Sequence, residues 1–312
     1  MRISMPVMLV LRLLGVLFCF IFVFAGCEKS GPSTDDLDCY DYRDTQRLVR
    51  LVRSAADRIA QKGTAAFEVF RQHPKDWTYK DAYLYVYDGS GKCIFHGGTP
   101  ELEGRTLWDV QDISGKYSLQ LAFKMARNPA NPHGWVHYAW NSPNRLNPQE
   151  KSSCHFLVTM PSGEEVLVGG GLPNLPVERS FVRFAVDEAV SLLERQGLAA
   201  LDTIRSPASE FRFLGTSVFV FTANGTTLVD PALFLPYNRN ILNYEDDTGH
   251  RPIRRLIEQL HKEPSAWVVL ASRNPRSINM MKKGMYGRKC TVNGQQLYVA
   301  GISDLPKPAW MN

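Results

Sequence analysis

The 312-residue sequence contains no C-x-x-C pair, no H-E-x-x-H and no G-x-S-x-G. These absences exclude zinc-ribbon, thioredoxin-like, zinc-protease and nucleophile-elbow hydrolase readings by motif. The glycine run Gly169 to Gly171 has no following Gly-Lys-Ser/Thr, so it is no phosphate loop; it closes an apolar strand pattern. His133 and His137 have the spacing of a helical metal pair, but they flank a strand pattern. Four residues of strand span about 13 Å, too far to chelate one ion. Strong charge is also missing. A formal +5 is too mild to argue for nucleic acid. Glu101, Glu103 and Asp109 read as solvated loop carboxylates. No enzyme, metal or cofactor is expected. With 44% hydrophobic residues, a sizeable core is available.

The one long apolar run lies at the N-terminus. Arg2 and Arg12 flank it, and Leu13 to Ala25 is nearly all apolar. It is short for a membrane span and has a signal-peptide layout. "FAGC", Phe24 to Cys27, resembles the lipobox of bacterial lipoproteins, with Phe24 where Leu is usual. That resemblance implies cleavage before Cys27 and lipid attachment there. The alternatives are an ordinary signal peptide or an uncleaved anchor helix. Residues 1–26 are therefore expected to be a leader and 27–38 a polar tether. Glu28 slightly favours the outer membrane over inner-membrane retention. The rest would face the periplasm or the cell exterior. Six cysteines are few. With Cys19 in the leader and Cys27 lipidated, Cys39, Cys93, Cys154 and Cys290 allow three pairings. Cys93 with Cys154 is the preferred pair, since both fall on predicted strands of one domain.

The chain repeats itself. At a shift of 134, Gly63 falls on Gly197, Gly91 on Gly225, Arg105 on Arg239, Leu107 on Ile241, and "QDISG" (111–115) on "EDDTG" (245–249). At 132, Trp135 falls on Trp267 and Lys151 on Lys283. "LVGGGL" (167–172) then falls near "YVAGIS" (298–303). Each copy begins with an amphipathic pattern at helical spacing, residues 43–63 and 177–197. Two strands with a turn between them follow, then an irregular segment, a short helix and three more strands. The predicted class is α+β: two tandem domains, 39–174 and 175–312, each a long N-terminal helix packed on a roughly five-stranded antiparallel sheet.

In the first copy, Asp88, Gly91, His96, Gly104-Arg105, Asp112, Gly115, Tyr138, Trp140, Pro143, Lys151 and Gly169 to Gly171 occur in an order that resembles the Cache superfamily, most closely its second subfamily. Gly97 and Cys154 depart from the Pro and Tyr usual there. The second copy matches weakly. The resemblance implies a PAS-like extracytoplasmic sensor domain. Its ligand, a small carboxylate or an amino acid, would sit between the sheet and the irregular segment. Such sensors signal through their own membrane helix; the sequence shows none after the last strand. The expected partner is therefore a separate membrane receptor, kinase or transporter. The rival reading is a non-binding Cache-fold scaffold that docks another protein.

Seven residues are candidates for ligand contact. Tyr138 and Trp140 share one strand face. Arg105 and Lys151 suit a carboxylate. Asp112 suits an ammonium, or caps the helix expected near Lys116. Trp108 offers an aromatic wall or core packing, and His96 ends a strand. The second copy has Leu270, Ser272 and Asp230-Pro231 where the first has Tyr138, Trp140 and His96-Gly97. Its pocket is expected to be degenerate: a spacer, a docking surface or a site of different specificity.

Overall fold

The structure is a computed structural model that describes residues 34–141, 146–231, 240–273 and 280–306. The leader, Cys27, Pro143 and Arg239 lie outside these residues. The chain divides into Met1–Asp36 and Leu37–Asn312, and the fold lies in the latter. No helix among the described residues is long and apolar enough to cross a membrane.

The elements in chain order are α1 (Arg43–Lys62), α2 (Ala65–Gln72), β1 (Thr78–Tyr79), β2 (Ala82–Asp88), β3 (Cys93–His96), α3 (Ser118–Ala126), β4 (Val136–Trp140), β5 (Gln149–Thr159) and β6 (Glu165–Pro173). After these come α4 (Arg179–Gln196), α5 (Ala200–Arg205), β7 (Arg212–Phe213), β8 (Thr216–Ser217), β9 (Phe219–Thr222), β10 (Thr227–Val229), α6 (Pro252–Lys262), β11 (Ser265–Arg273), β12 (Met280–Val292) and β13 (Gln295–Asp304). The class is the expected α+β with antiparallel sheets. The first sheet runs β3-β2-β6-β5-β4, with β1 also on β2. The second runs β10-β9-β13-β12-β11. Counting strands within each half, both sheets have the order 2-1-5-4-3.

Register repeats too. Lys151 faces Tyr138 on β4 and Pro173 on β6. Lys283 faces Leu270 on β11 and Asp304 on β13. The sequence shift therefore carries strand positions from one sheet onto the other.

The two long helices bury the stripes their sequences predict. Leu48, Val52, Ala55 and Ile59 of α1 are buried, as are Val182, Val186, Val190 and Leu193 of α4. Their side chains and the facing strand residues form one hydrophobic cluster that includes Val86 and Val168 of the first sheet and Val220 and Val299 of the second. Both sheets thus share a core. Each helix lies close on its sheet because a glycine stands beneath it. A Cβ on Gly170 would come within 2.7 Å of Val52, and one on Gly301 within 2.9 Å of Val182. Of the triplet 169–171, only the middle glycine does this work, since strand residues alternate faces.

The expected Cys93–Cys154 disulfide is absent: both thiols are free and buried. Strand order explains it. Cys93 is on β3 and Cys154 on β5, with β2 and β6 between them, a separation of roughly 14 Å at the usual strand spacing. A disulfide needs Cα atoms within about 7 Å. The side chains also point to opposite faces. Cys154 joins the cluster under α1, and Cys93 joins the cluster under α3. Both cysteines lie on strands, as expected, and both strands belong to the first sheet, but a sequence pattern does not show which strands are neighbours.

Gly170→Ala should destabilise the protein by about 1–3 kcal/mol, the usual effect of overpacking. Urea denaturation checks this. A fall below about 0.3 kcal/mol would mean that α1 is not held close to the sheet at that point.

Candidate functional site

The face of the first sheet away from α1 is unusual in what it buries. On β2, Tyr83, Tyr85 and Tyr87 alternate onto it. His96 of β3 pairs with Tyr85. Tyr138 and Trp140 come from β4, and Lys151, Ser153 and His155 from β5. Helix α3 and the irregular segment before it cover this face. Between them lies a cavity lined by Tyr83, Tyr85, His96, Tyr138, Lys151 and His155, among others. Its volume is about 40 Å³, measured at the centres of water-sized spheres. About 10–15 Å³ on that measure holds one water, so the space suits a guest of a few heavy atoms.

The sheet makes room by omission. Gly169 lies opposite Tyr85 and His155, and Gly171 opposite Tyr83 and Ser153. A Cβ on Gly169 would strike the Tyr85 and His155 rings, and one on Gly171 would strike Ser153 and the Lys151 stem. The outer two glycines of the triplet therefore make space for the cavity wall, while the middle one admits α1.

Lys151 is the central charge. It is 4% exposed, and no carboxylate pairs with its ammonium among the described residues. Its Nζ lies 3.8 Å from the centre of the Tyr83 ring, 5.7 Å from that of Tyr85 and 6.0 Å from that of Trp140. Aromatic faces attract a cation, but they replace only part of its hydration. Burial pushes the lysine pKa down to about 7.

The histidines beside it are neutral. His155 Nδ1 donates to the Gly134 carbonyl at 2.7 Å, so its Nε2 accepts the Tyr85 hydroxyl at 2.9 Å. His96 Nδ1 accepts the Thr99 amide at 2.8 Å. Its Nε2 then carries the proton and is a donor. Burial first, and the neighbouring Lys151 second, lower the His96 pKa to about 4. Burial likewise takes His155 to about 4. The remaining polar tip, the Tyr138 hydroxyl, shares a 3.0 Å hydrogen bond with Ser153. Among the described residues, the chamber therefore offers one ammonium and one imidazole N–H, within aromatic walls and with no anion opposite. It has the chemistry to hold a small anion.

Four of the seven predicted residues meet here: His96, Tyr138, Trp140 and Lys151. The other three do not line the cavity. The Arg105 side chain is exposed, and that residue contributes its carbonyl, which accepts the Cys93 amide at 2.8 Å. Trp108 packs on Phe123, ring centres 5.6 Å apart, and lies over Gly91. Asp112 is a structural clasp. One of its oxygens accepts the Ser114 amide, the Ser114 hydroxyl and the Lys116 amide; the other accepts the Ala139 amide of β4 at 2.9 Å. Nor does it cap α3, which starts at Ser118. Asp246 repeats the clasp with Thr248, His250 and Ala271. An aspartate used identically in both halves serves the fold. Tyr83, Tyr85, Tyr87 and His155 were not among the candidates. Their signal was period two: three alternating tyrosines in "AYLYVYD", and a histidine four residues from Lys151 on the same strand. His133 and His137 have separate partners, Tyr40 and Ser152.

Residues 45–161 match the family model described as single Cache domain 2. Among solved structures, the chain is similar to a periplasmic sensor domain of a chemotaxis protein, at 25% identity over 42% of this chain and 92% of that one, with a TM-score of 0.34. It is similar to a Cache chemosensory domain solved for carboxylic acid recognition, at 21% identity over 46% and 99%, TM-score 0.33. It is also similar to the ligand-binding domain of the Pseudomonas fluorescens chemoreceptor CtaA in complex with L-alanine, at 14% identity over 90% and 96%, TM-score 0.31. No curated protein matches.

Burial raises the Asp112 pKa, but the hydrogen bonds it accepts outweigh that and hold it below the usual value. A carboxyl with a depressed folded pKa contributes stability above its unfolded pKa, and that contribution is lost as pH falls through the folded one. Asp112→Asn should therefore flatten the loss of stability below about pH 4. At pH 7 it should cost about 1–3 kcal/mol, since an amide accepts fewer of these bonds. Urea midpoints across pH 3–7 test this. An unchanged acid limb would remove the clasp from the account.

Proposed function

We propose that this chain is an extracytoplasmic binding or sensing protein whose first sheet captures a small carboxylate without altering it. The observation that carries the reading is Lys151: a buried ammonium facing aromatic rings in a cavity, with no anion of the protein beside it among the described residues. A carboxylate guest supplies the missing charge, and His96 Nε2–H adds a second donor. An α-amino acid suits this chamber less well, because no acid among the described residues lines it to take the ammonium. The match of residues 45–161 to a sensory domain family agrees with this reading. The leader and "FAGC" support a lipid anchor at Cys27, which would hold the chain at the envelope surface. From there it would present its occupied state to a separate membrane receptor, kinase or transporter.

A panel of acetate, propionate, lactate and pyruvate should contain a ligand that raises the melting temperature. At a hundred times its dissociation constant the gain is about 2.7 kcal/mol. Lys151→Met should abolish the shift. If no carboxylate moves the melting point, or Lys151→Met binds as well as the parent, the reading fails; in the first case a docking scaffold takes its place.

The pH dependence has a definite sign. The guest needs the charged lysine, so affinity should be flat below about pH 7 and fall about tenfold per pH unit above it. The unliganded protein should behave oppositely. Between the folded pKa near 7 and the unfolded value near 10.5, the unfolded chain binds more protons. Stability therefore rises with pH in that window, by at most about 1.4 kcal/mol per unit from this group. Lys151→Met should remove both slopes, as read by calorimetry and by urea unfolding.

A further inference from the structure

The second sheet keeps the lysine and changes what surrounds it. Lys283 holds on β12 the register position that Lys151 holds on β5. Opposite it, Tyr138 has become Leu270 and Pro173 has become Asp304. Ser217 stands two residues before Phe219, as Tyr83 stands two before Tyr85, so the ring that covers Lys151 is replaced by a hydroxymethyl group. Removing that ring opens a larger space. A cavity of about 90 Å³ on the same measure is lined by Ser217, Phe219, Leu270, Lys283, Ile302 and Asp304, with other residues around them.

Three features of this cavity bear on its occupant. The first is charge. Lys283 Nζ lies 3.4 Å from Asp304 Oδ1, so the wall carries one cation and one anion side by side. Both side chains are about 30% exposed, at 31% and 29%. Asp304 Oδ2 also accepts the Val177 amide at 3.3 Å. The second is an unsatisfied group. Ser217 is 7% exposed, and its hydroxyl, shielded from solvent, has no hydrogen-bond partner among the described residues. Such a group costs about 1–3 kcal/mol when left alone. The third is the apolar floor of Phe219, Leu270 and Ile302, which excludes water beneath the charges.

From these we infer that the second sheet bears its own binding site, for a small zwitterion: a molecule holding a carboxylate and an ammonium a few ångströms apart. A lone carboxylate approaching Lys283 would meet Asp304, and a lone cation approaching Asp304 would meet Lys283. A zwitterion presents each charge to its complement, and its carboxylate has the Ser217 hydroxyl as an additional donor. The two sheets would thus divide ligand chemistry between them, chiefly through the exchange of proline for aspartate at the strand position beside the lysine.

The test uses the full-length chain and glycine and β-alanine as probes, with acetate and methylammonium as half-ligands, read by calorimetry. At least one zwitterion should bind at least tenfold more tightly than either half-ligand does at this site, with Lys151→Met in the background to silence the first chamber. Lys283→Met and Asp304→Asn should each weaken the zwitterion tenfold or more. Ser217→Val removes a hydroxyl that has no hydrogen-bond partner among the described residues, so it should leave the melting temperature equal or higher and weaken binding roughly threefold to tenfold. That variant guards against mere unfolding. The inference is overturned if neither zwitterion binds, if binding survives both charge variants, if a half-ligand binds as tightly, or if Ser217→Val leaves affinity unchanged. Failure of all four carboxylates of the panel on the parent chain, while zwitterion binding holds, sinks the reading of the first sheet and leaves this one standing. Zwitterion binding abolished by Lys151→Met places the ligand in the first chamber and sinks this one.

Discussion

The first half of the molecule is organised around one buried lysine with nothing negative beside it among the described residues. Taking an ammonium out of water is expensive, and the protein compensates only partly, with the faces of Tyr83, Tyr85 and Trp140. Much nearby structure follows from that. The histidines near Lys151 stay neutral chiefly because they are buried, and each Nδ1 bonds the backbone, His155 as donor and His96 as acceptor, which fixes its tautomer. The strand beside Lys151 must be glycine at alternate positions, or the lysine stem and the Tyr85 ring would have no room. The segment over the cavity must be held without placing an acid inside it. Asp112 does this from outside, spending both oxygens on Ser114, Lys116 and the amide of Ala139. An unsatisfied charge so closely surrounded is poorly explained as packing. It is well explained as half of an interaction whose other half arrives from solution.

Much of the fold could be read from the sequence because it rests on periodicity. The stripes of α1 and α4, the paired strands and the recurrence at 134 and 132 residues all reflect burial on one face, which is a local pattern. Strand order is not local, and the disulfide expectation failed there: Cys93 and Cys154 are each on a strand, but β2 and β6 lie between them. Within the site, legibility followed the same division. Tyr138, Trp140 and Lys151 lie on strands, where alternation fixes the face, and all three reach the cavity. Arg105, Trp108 and Asp112 lie in an irregular segment, where no period says which side chains turn inward. There the chamber receives Leu107 and Val110 instead. The three tyrosines of β2 were legible in principle. Their alternation looks like any half-buried strand until the glycines opposite are seen to give the rings room.

The internal repeat serves as a control on these assignments. Features kept in both halves carry the architecture: a glycine beneath each long helix at Gly170 and Gly301, and an aspartate clasp at Asp112 and Asp246. Features that differ gather on the sheet faces opposite the long helices. Gly171 gives way to Ile302, Tyr138 to Leu270, Tyr83 to Ser217 and Pro173 to Asp304. If the second sheet were only a spacer, the simplest replacement for a buried unpaired lysine would be an apolar side chain, because removing both charges of a half-buried pair is often neutral or stabilising. Lys283 is instead retained and given an acid at 3.4 Å, beside a hydroxyl that has no hydrogen-bond partner among the described residues. An unsatisfied donor works against stability. Its position on the same cavity wall as a retained ion pair is hard to derive from packing and follows directly if that wall also meets a polar guest.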